Sequence, residues 1–555
     1  MSQLNFFKQH QETLGQALSA INTRGFWSQY PENPSPRAYG ETAAAEGEAA
    51  FNGLLGKAFE LEMPGIIGQV KGEQSPYGIE MGVSYPQVDI DVLVPAMKQE
   101  TKAWRDAGPD VRAGICVEIL DRLNKRSFEI GHGVMHTSGQ GFMMAFQAGG
   151  PHAQDRGLEA VAYGYRAMKE VPETTVWTKP QGKHDPLVMD KTYHIVPRGI
   201  SVVVGCSTFP TWNTYPGLFA SLVTGNPVIV KPHPASVLPA AISVKIAQDV
   251  LKEAGFAPHI VSMVVDTAEA PITKELATHK DVKLIDFTGS SAFGNWLEQN
   301  ATQAQVFTEK AGVNTVIIDS VADIKAVARN LAFTLSLYSG QMCTTTQAIY
   351  IPRDGIKTPD GQMSFDEVAQ ALSIATSKFL SDNDRACMVL GAIQAPATVA
   401  RIKECEGLGE VVLASEKREH PQFPNAEIHT PLILKVDAAD IEKYSEERFG
   451  PISFLIATDS TEHSMALAKQ VISEKGAITL GVYSTDDAVL DQAEELAMDV
   501  KVALSVNLDG GVFVNQSAAY SDFHATGGNP AANASLTDTA FVASRFVVVQ
   551  SRRHQ

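Results

Sequence analysis

The apolar positions of this chain change period along its length. From Asp89 to about Lys169 they recur every three or four residues, as in VRAGICVEILDRLNKRSFEI, and this spacing predicts helices. Beyond Lys169 the pattern shortens into β-branched runs: ISVVVG (Ile200–Gly205), NPVIVKP (Asn226–Pro232), IVSMVVD (Ile260–Asp266) and VKLIDFTGS (Val282–Ser290). Helical stretches fall between these runs, at Pro216–Thr224, Ser236–Gly255 and Ile272–Thr278. Strands alternating with helices of these lengths predict a parallel, doubly wound α/β sheet. After Glu309 a second α/β region begins, with TVIIDS, QAIYIP, TPLILKV and ISFLIAT as its strands. Ahead of both lies an extension of about 80 residues. It reads as a helix, a proline-rich loop (YPENPSPRAYGE) and a second helix from about Thr42 to Phe59. The tail FVASRFVVVQSRR ends in a β-branched run, and a terminal strand commonly pairs with another element or another subunit. The expected division is 1–80, 81–310, 311–510 and 511–555.

Length supports this partition, because 555 residues exceed what one ordinary core accommodates. The net charge of −18 argues against nucleic acid or an anionic membrane as the main partner. It leaves room for an anionic cofactor held by backbone N–H groups and one or two lysines. The sequence has no run of about eighteen apolar residues that would predict a transmembrane helix. Its start, MSQLNFFKQHQETLGQAL, lacks an apolar signal core. The five cysteines (Cys116, Cys206, Cys343, Cys387 and Cys405) are odd in number and widely spaced, without zinc-type clustering. Free thiols in a reducing compartment follow, and the cytoplasm is the expected location.

Ligands of doubly wound sheets bind at the carboxyl ends of the strands. That directs attention to the loops after Gly205, Val230 and Phe287. FTGSSAFG, with Gly289, Ser290 and Gly294, follows a strand and opens a helix, a geometry that presents N–H groups and a helix dipole to a pyrophosphate. Lys231 ends a strand, where a cofactor hydroxyl or phosphate is a suitable partner and a solvated lysine the plain alternative. Cys343 sits among Ser339, Gly340, Gln341 and Thr344–Thr346, which are not core residues. A thiolate near a helix start would have a lowered pKa there, whereas most free cysteines are small buried hydrophobes. Glu309 lies 34 residues earlier, and spacing alone does not join it to the cysteine. The turn EERFGP carries Glu447 and Phe449.

Taken together and in order, these segments resemble the aldehyde dehydrogenase superfamily from about Asp89 onward. The resemblance implies two doubly wound domains, the first binding a dinucleotide and the second catalytic, with a β-arm for oligomerisation. SGQMCTT resembles the nucleophile loop and implies Cys343 as the attacking thiol; EKAGVN implies Glu309 as general base. FTGSSAFG, VKPHP and EERFGP resemble the cofactor-binding motifs and imply Lys231, His233, Gly289, Ser290, Gly294, Glu447 and Phe449 as cofactor contacts. Ser207 and Phe209 flank the strand-end motif and are expected to join them. More narrowly, the N-terminal RGFWSQYPENPSPRAYGE and the stretch MHTSGQGFMMAFQAGGPHAQDRGLEAVAYGY resemble the PaaN-type proteins of phenylacetic acid degradation. That resemblance implies a CoA-linked semialdehyde as substrate.

Two departures from the family pattern matter. Where the family has an asparagine that helps stabilise the oxyanion, CSTFPTWN places Thr208, with Asn213 as a candidate substitute. Loss of such a donor typically costs about 10²–10³ in rate. Where many NAD-preferring members have a ribose-binding glutamate, this chain has Pro234. NADP is therefore the expected cofactor and NAD the alternative. The expected reaction is oxidation of an aldehyde to a carboxylic acid through a thiohemiacetal and a thioester. The alternatives are a CoA-acylating dehydrogenase, a catalytically weak scaffold or regulatory homologue, and a cofactor-free cysteine hydrolase, which would require a histidine such as His233 or His524 near Cys343. The resemblance also implies a homodimer or larger homo-oligomer.

Overall fold

In the computed structural model, residues 5–516 and 518–555 are described. The first sheet has five parallel strands. In spatial order they are Val261–Met263, Val228–Lys231, Ile200–Val204, Val282–Thr288 and Gln305–Glu309. Its central strands are apolar on both faces, as a sheet covered on both sides requires; Val202 pairs with Ile229 on one side and Ile285 on the other. The second sheet has seven strands in the order Glu410–Leu413, Leu432–Asp437, Ile452–Thr458, Ala348–Pro352, Thr315–Ile318, Thr479–Tyr483 and Ala503–Val506. All its pairings are parallel except that of the Glu410–Leu413 edge strand.

Of the third layer only the terminal strand was legible in the sequence. Thr174–Gln181 and His184–Pro197 form a long hairpin, and the terminal strand Phe546–His554 pairs antiparallel with its second arm. This three-stranded arm exposes Val176, Leu187, Val547, Val548 and Val549.

The N-terminal extension is built into the first core. Helix Asn5–Thr23 buries Phe6, Leu14, Ala17 and Ile21, at the three- and four-residue spacing of one helix face. Gly114 makes the close approach possible, because a Cβ there would lie 2.3 Å from the Phe7 backbone nitrogen. His10 then reaches Glu118 at 2.6 Å, and Ser28 donates to Asp155 at 2.6 Å. Among the described residues no helix is long and apolar enough to cross a membrane.

Candidate active site

Four distant segments meet where the two sheets face each other. Strand Gln305–Glu309 delivers Glu309 at its carboxyl end, and the side chain is buried. The loop before Ala348–Pro352 delivers Cys343, the loop after Ile200–Val204 delivers Asn213, and a C-terminal segment delivers His524. Asn213 Nδ2 donates to Glu309 Oε2 at 3.0 Å. His524 Nε2 lies 3.0 Å from Glu309 Oε1 and 3.7 Å from Cys343 Sγ. Cys343 Sγ, the Glu309 carboxylate and a His524 ring nitrogen all lie within 4.8 Å of one another.

The cysteine loop is held by backbone strain and by side-chain amides. Tyr338, Ser339 and Gly340 take positive φ in succession (54°, 47° and 62°). Only glycine fits at the third position, because a Cβ there would meet the Gly450 carbonyl oxygen at 2.2 Å. Asn314, from the EKAGVN segment, donates to the carbonyls of Cys343 (2.7 Å) and Thr345 (3.1 Å). Its own oxygen accepts from the backbone of Ile478 and Thr479. One amide thus ties the nucleophile loop to the second sheet.

The expectation of a thiol lowered by a helix start is corrected. Cys343 lies in a turn after the helix Ile324–Ser336 and the short 3₁₀ segment that follows it. Burial, and then the neighbouring Glu309 charge, push the thiol well above its ordinary value. For Glu309, burial works against the charged form. The His524 charge, with hydrogen bonds from His524, Cys343 and Asn213, outweighs it and holds the carboxyl below the usual range.

Thr208 does not face this cluster directly. Its hydroxyl lies 4.0 Å from Cys206 Sγ, and its carbonyl accepts from Gln140. Phe209 packs edge-on against Tyr338, bracing the cysteine loop, and Ser207 is half-buried beside it. His233 Nδ1 accepts from the Ala235 backbone, so that ring is committed to its own turn. Of the two histidines considered beside Cys343, the structure brings in His524.

The remaining candidates line the strand ends. Ser290 caps the ten-residue helix Ser291–Asn300, accepting from Phe293 N. Gly294 lets the Lys310 side chain cross, since a Cβ there would lie 2.7 Å from its methylenes; Gly289 donates to the Glu309 carbonyl at 3.0 Å. Glu447 is half-buried, and burial pushes its carboxyl up to about 7 despite the Gly312 amide beside it. It faces both Glu309 and Cys343 electrostatically. The Phe449 carbonyl accepts from Arg401. Gln347 holds this turn through the carbonyls of Tyr444 and Glu446. A capped helix start at the carboxyl ends of the first sheet suits the pyrophosphate of a dinucleotide.

Lys231, expected to meet a cofactor hydroxyl or phosphate, has an acidic partner inside the protein. Lys231 Nζ is 2.6 Å from Asp266, and both side chains are buried. Asp266 follows the neighbouring strand Val261–Met263, so a carboxylate stands at the strand end although Pro234 does not supply one.

The sequence model of the aldehyde dehydrogenase family matches residues 83–529. The chain belongs to the aldehyde dehydrogenase family. It is an oxidoreductase with the family's α/β architecture, as the sheets described above require. A crystal structure of an NAD-dependent aldehyde dehydrogenase from Burkholderia multivorans is 56% identical, with a TM-score of 0.98 and 99% of each chain covered. A 1-pyrroline-5-carboxylate dehydrogenase of Oceanobacillus iheyensis is 26% identical over 73% of this chain and 75% of its own length. The Thermus 1-pyrroline-5-carboxylate dehydrogenase with bound NAD shares the fold at TM-score 0.74 and 18% identity, covering 96% of this chain and 99% of its own.

Proposed function

We propose that the protein oxidises an aldehyde to the free carboxylic acid, with Cys343 as nucleophile, Glu309 as general base and NAD as the preferred hydride acceptor. The observation that carries this reading is the placement of Cys343 Sγ within 4.8 Å of the Glu309 carboxylate at the carboxyl end of the first sheet. Bound NAD supplies the hydride acceptor. The N-terminus of Ser291–Asn300 with Ser290 would hold its pyrophosphate, and Glu447 a ribose. The Asp266–Lys231 pair supports NAD, because a 2′-phosphate brought to this strand end meets a carboxylate that already neutralises the lysine.

The Cys343 proton passes by way of Glu309 to water, which restores the carboxylate, and the thiolate sulfur attacks the carbonyl carbon. The Cys343 backbone N–H and the Asn213 amide then face the developing oxyanion. After the hydride leaves, an acyl thioester remains on Cys343. Glu309 takes a proton from water, the hydroxide adds to the thioester, and the C–S bond breaks to release the acid. A small cavity of about 20 Å³ bordered by Glu309, Asn213, Thr288 and Thr308 has room for a water beside that carboxylate.

The substrate we propose is a CoA-linked semialdehyde of phenylacetate breakdown, a reading supported by the N-terminal resemblance. The test is reduction of NAD and of NADP against a panel of aldehydes, free and CoA-linked, with Cys343→Ala as control. Turnover of no aldehyde would defeat the reading, and an acyl-CoA product on adding free CoA would replace hydrolysis by CoA transfer. The His524–Cys343 contact favours one second reading, a cysteine hydrolase of thioesters. Thioester turnover without nicotinamide, at rates matching aldehyde oxidation, would support it.

A further inference from the structure

Cys343 and Glu309 present a difficulty that the proposed function leaves open. Attack needs a thiolate, and release needs a carboxylate. The two groups lie within 4.8 Å of each other, so ionising one opposes ionising the other. His524 lies against both. Its Nε2 is 3.0 Å from Glu309 Oε1 and 3.7 Å from Cys343 Sγ, with the side chain only 3% exposed. The ring is firmly held. Its backbone pairs with Leu536 in both directions (2.8 and 2.9 Å), and the Trp212 ring meets it edge-on at 4.7 Å. Arg156 donates to the carbonyls of Asp522 and Leu536 on either side of it.

Building on that proposed function, we propose that His524 is a further catalytic residue whose imidazolium, seated between Cys343 and Glu309, lets thiolate and carboxylate be charged at the same time. The Cys343 S–H bond breaks, and the proton passes by way of Glu309 to water. The Nε2–H then bridges sulfur and oxygen. Thiolate attack and later thioester departure both leave the imidazolium facing the sulfur, where it stabilises the leaving thiolate. The other charged or titratable groups facing the cluster are Cys206 and Glu447 on the cysteine side and Arg156, stacked on Trp212. Neither Cys206 nor Glu447 supplies positive charge, whereas the His524 ring touches both Cys343 and Glu309.

The test is the rate of Cys343 alkylation by iodoacetamide against pH, in cofactor-free protein, referenced to Cys343→Ala. In His524→Gln and His524→Asn the rate at pH 7 falls at least tenfold and the profile moves alkaline. In Glu309→Gln, with one anion removed, the rate rises at least tenfold. A purely structural role moves neither profile in these opposed directions. Profiles superimposable on wild type in a folded His524 variant overturn the proposal. Should both His524 variants fail to fold, an unchanged or slower rate in Glu309→Gln overturns it. Alkylation needs no aldehyde. A wild type that turns over no aldehyde but shows these shifts defeats the proposed function alone, and turnover with unshifted profiles defeats this inference alone.

Discussion

Arg545 carries a charge into the core, and its removal gives a quantitative test of how the arm is anchored. The side chain is fully buried, one residue before the terminal arm strand. Its guanidinium contacts both Asp286 oxygens (2.5 and 2.8 Å), donates to Ser221 Oγ at 2.7 Å and to the Phe541 carbonyl at 3.0 Å, and lies over the rings of Phe307 and Phe541. Asp286 is tightly enclosed, since a Cβ on Gly217 would lie 2.6 Å from its carboxyl carbon. Replacing Arg545 by Met keeps the volume but strands that carboxylate, which costs about 3–5 kcal/mol. Removing the acid as well, in Arg545→Met with Asp286→Leu, returns most of this, so the double-mutant cycle yields a coupling of at least about 2 kcal/mol. Urea unfolding read by tryptophan fluorescence suits the question. Trp27, Trp104, Trp177, Trp212 and Trp296 all precede Glu309, so the signal reports the half of the molecule that holds the pair. A loss below about 1 kcal/mol in Arg545→Met, or losses that simply add in the double variant, refutes the claim that the pair acts as a unit.

Other outcomes follow from the site and its supports. Glu309→Gln should give a burst of reduced nicotinamide of about one per site, then steady turnover lower by about 10²–10⁴, with the acyl-enzyme visible by mass spectrometry; undiminished steady turnover would remove Glu309 from the base role. Asn213→Ala should lower kcat by about 10²–10³ and Thr208→Ala by less than about tenfold, because the Asn213 amide enters the cluster whereas the Thr208 hydroxyl faces Cys206; the reverse order in stopped-flow rates would return the oxyanion role to Thr208. His136, stacked on Phe51 and bonded to Ser75, is lowered to about 4 by burial and then by His132. The unfolded chain takes up that proton near pH 6.5 and the folded one refuses it until about 4, so stability present above pH 6.5 is lost as pH falls through that window. The loss is about 3 kcal/mol, and urea titrations of His136→Phe at pH 7.5 and 4.5 should show it abolished.

Local signals in the sequence read the parallel strands well. Ile200–Val204 and Val282–Thr288 are β-branched, short and bounded by glycine or proline, so period and punctuation agree. The arm hairpin was invisible for the opposite reason. HDPLVMDKTYHIVP mixes charge and apolar residues because only Pro197 of it is buried, leaving no buried face to impose a period. Cys343 and Glu309 were legible through motif order, but the third member of their cluster was not. Nothing local to YSDFHATGG marks His524, since its partners are 181 and 215 residues away. Asp266 escaped for the same reason. The absence of a glutamate near Lys231 was read along one strand, whereas the acid arrives from the strand beside it.

The same geometry explains why an active site built from loops keeps its spacing. The loop carrying Cys343 has no sheet partner of its own, and a drift of about 1 Å in a reacting group costs as much as 10²-fold in rate. Each segment is fixed instead by a side chain that satisfies backbone groups of another. Asn314 spans the cysteine loop and the strand at Thr479, Gln347 spans the first residues of Ala348–Pro352 and the Glu447 turn, and Arg156 clamps both sides of His524. These amides and the guanidinium are themselves buried, so each bond that is lost strands a polar group away from water. A small shift of any one segment therefore breaks several bonds together, and the site holds one arrangement or comes apart. On this argument Asn314→Ala should impair the Cys343 step more than its lost hydrogen bonds would by themselves, because the carbonyls of Cys343 and Thr345 and the amides of Ile478 and Thr479 lose their partner at once.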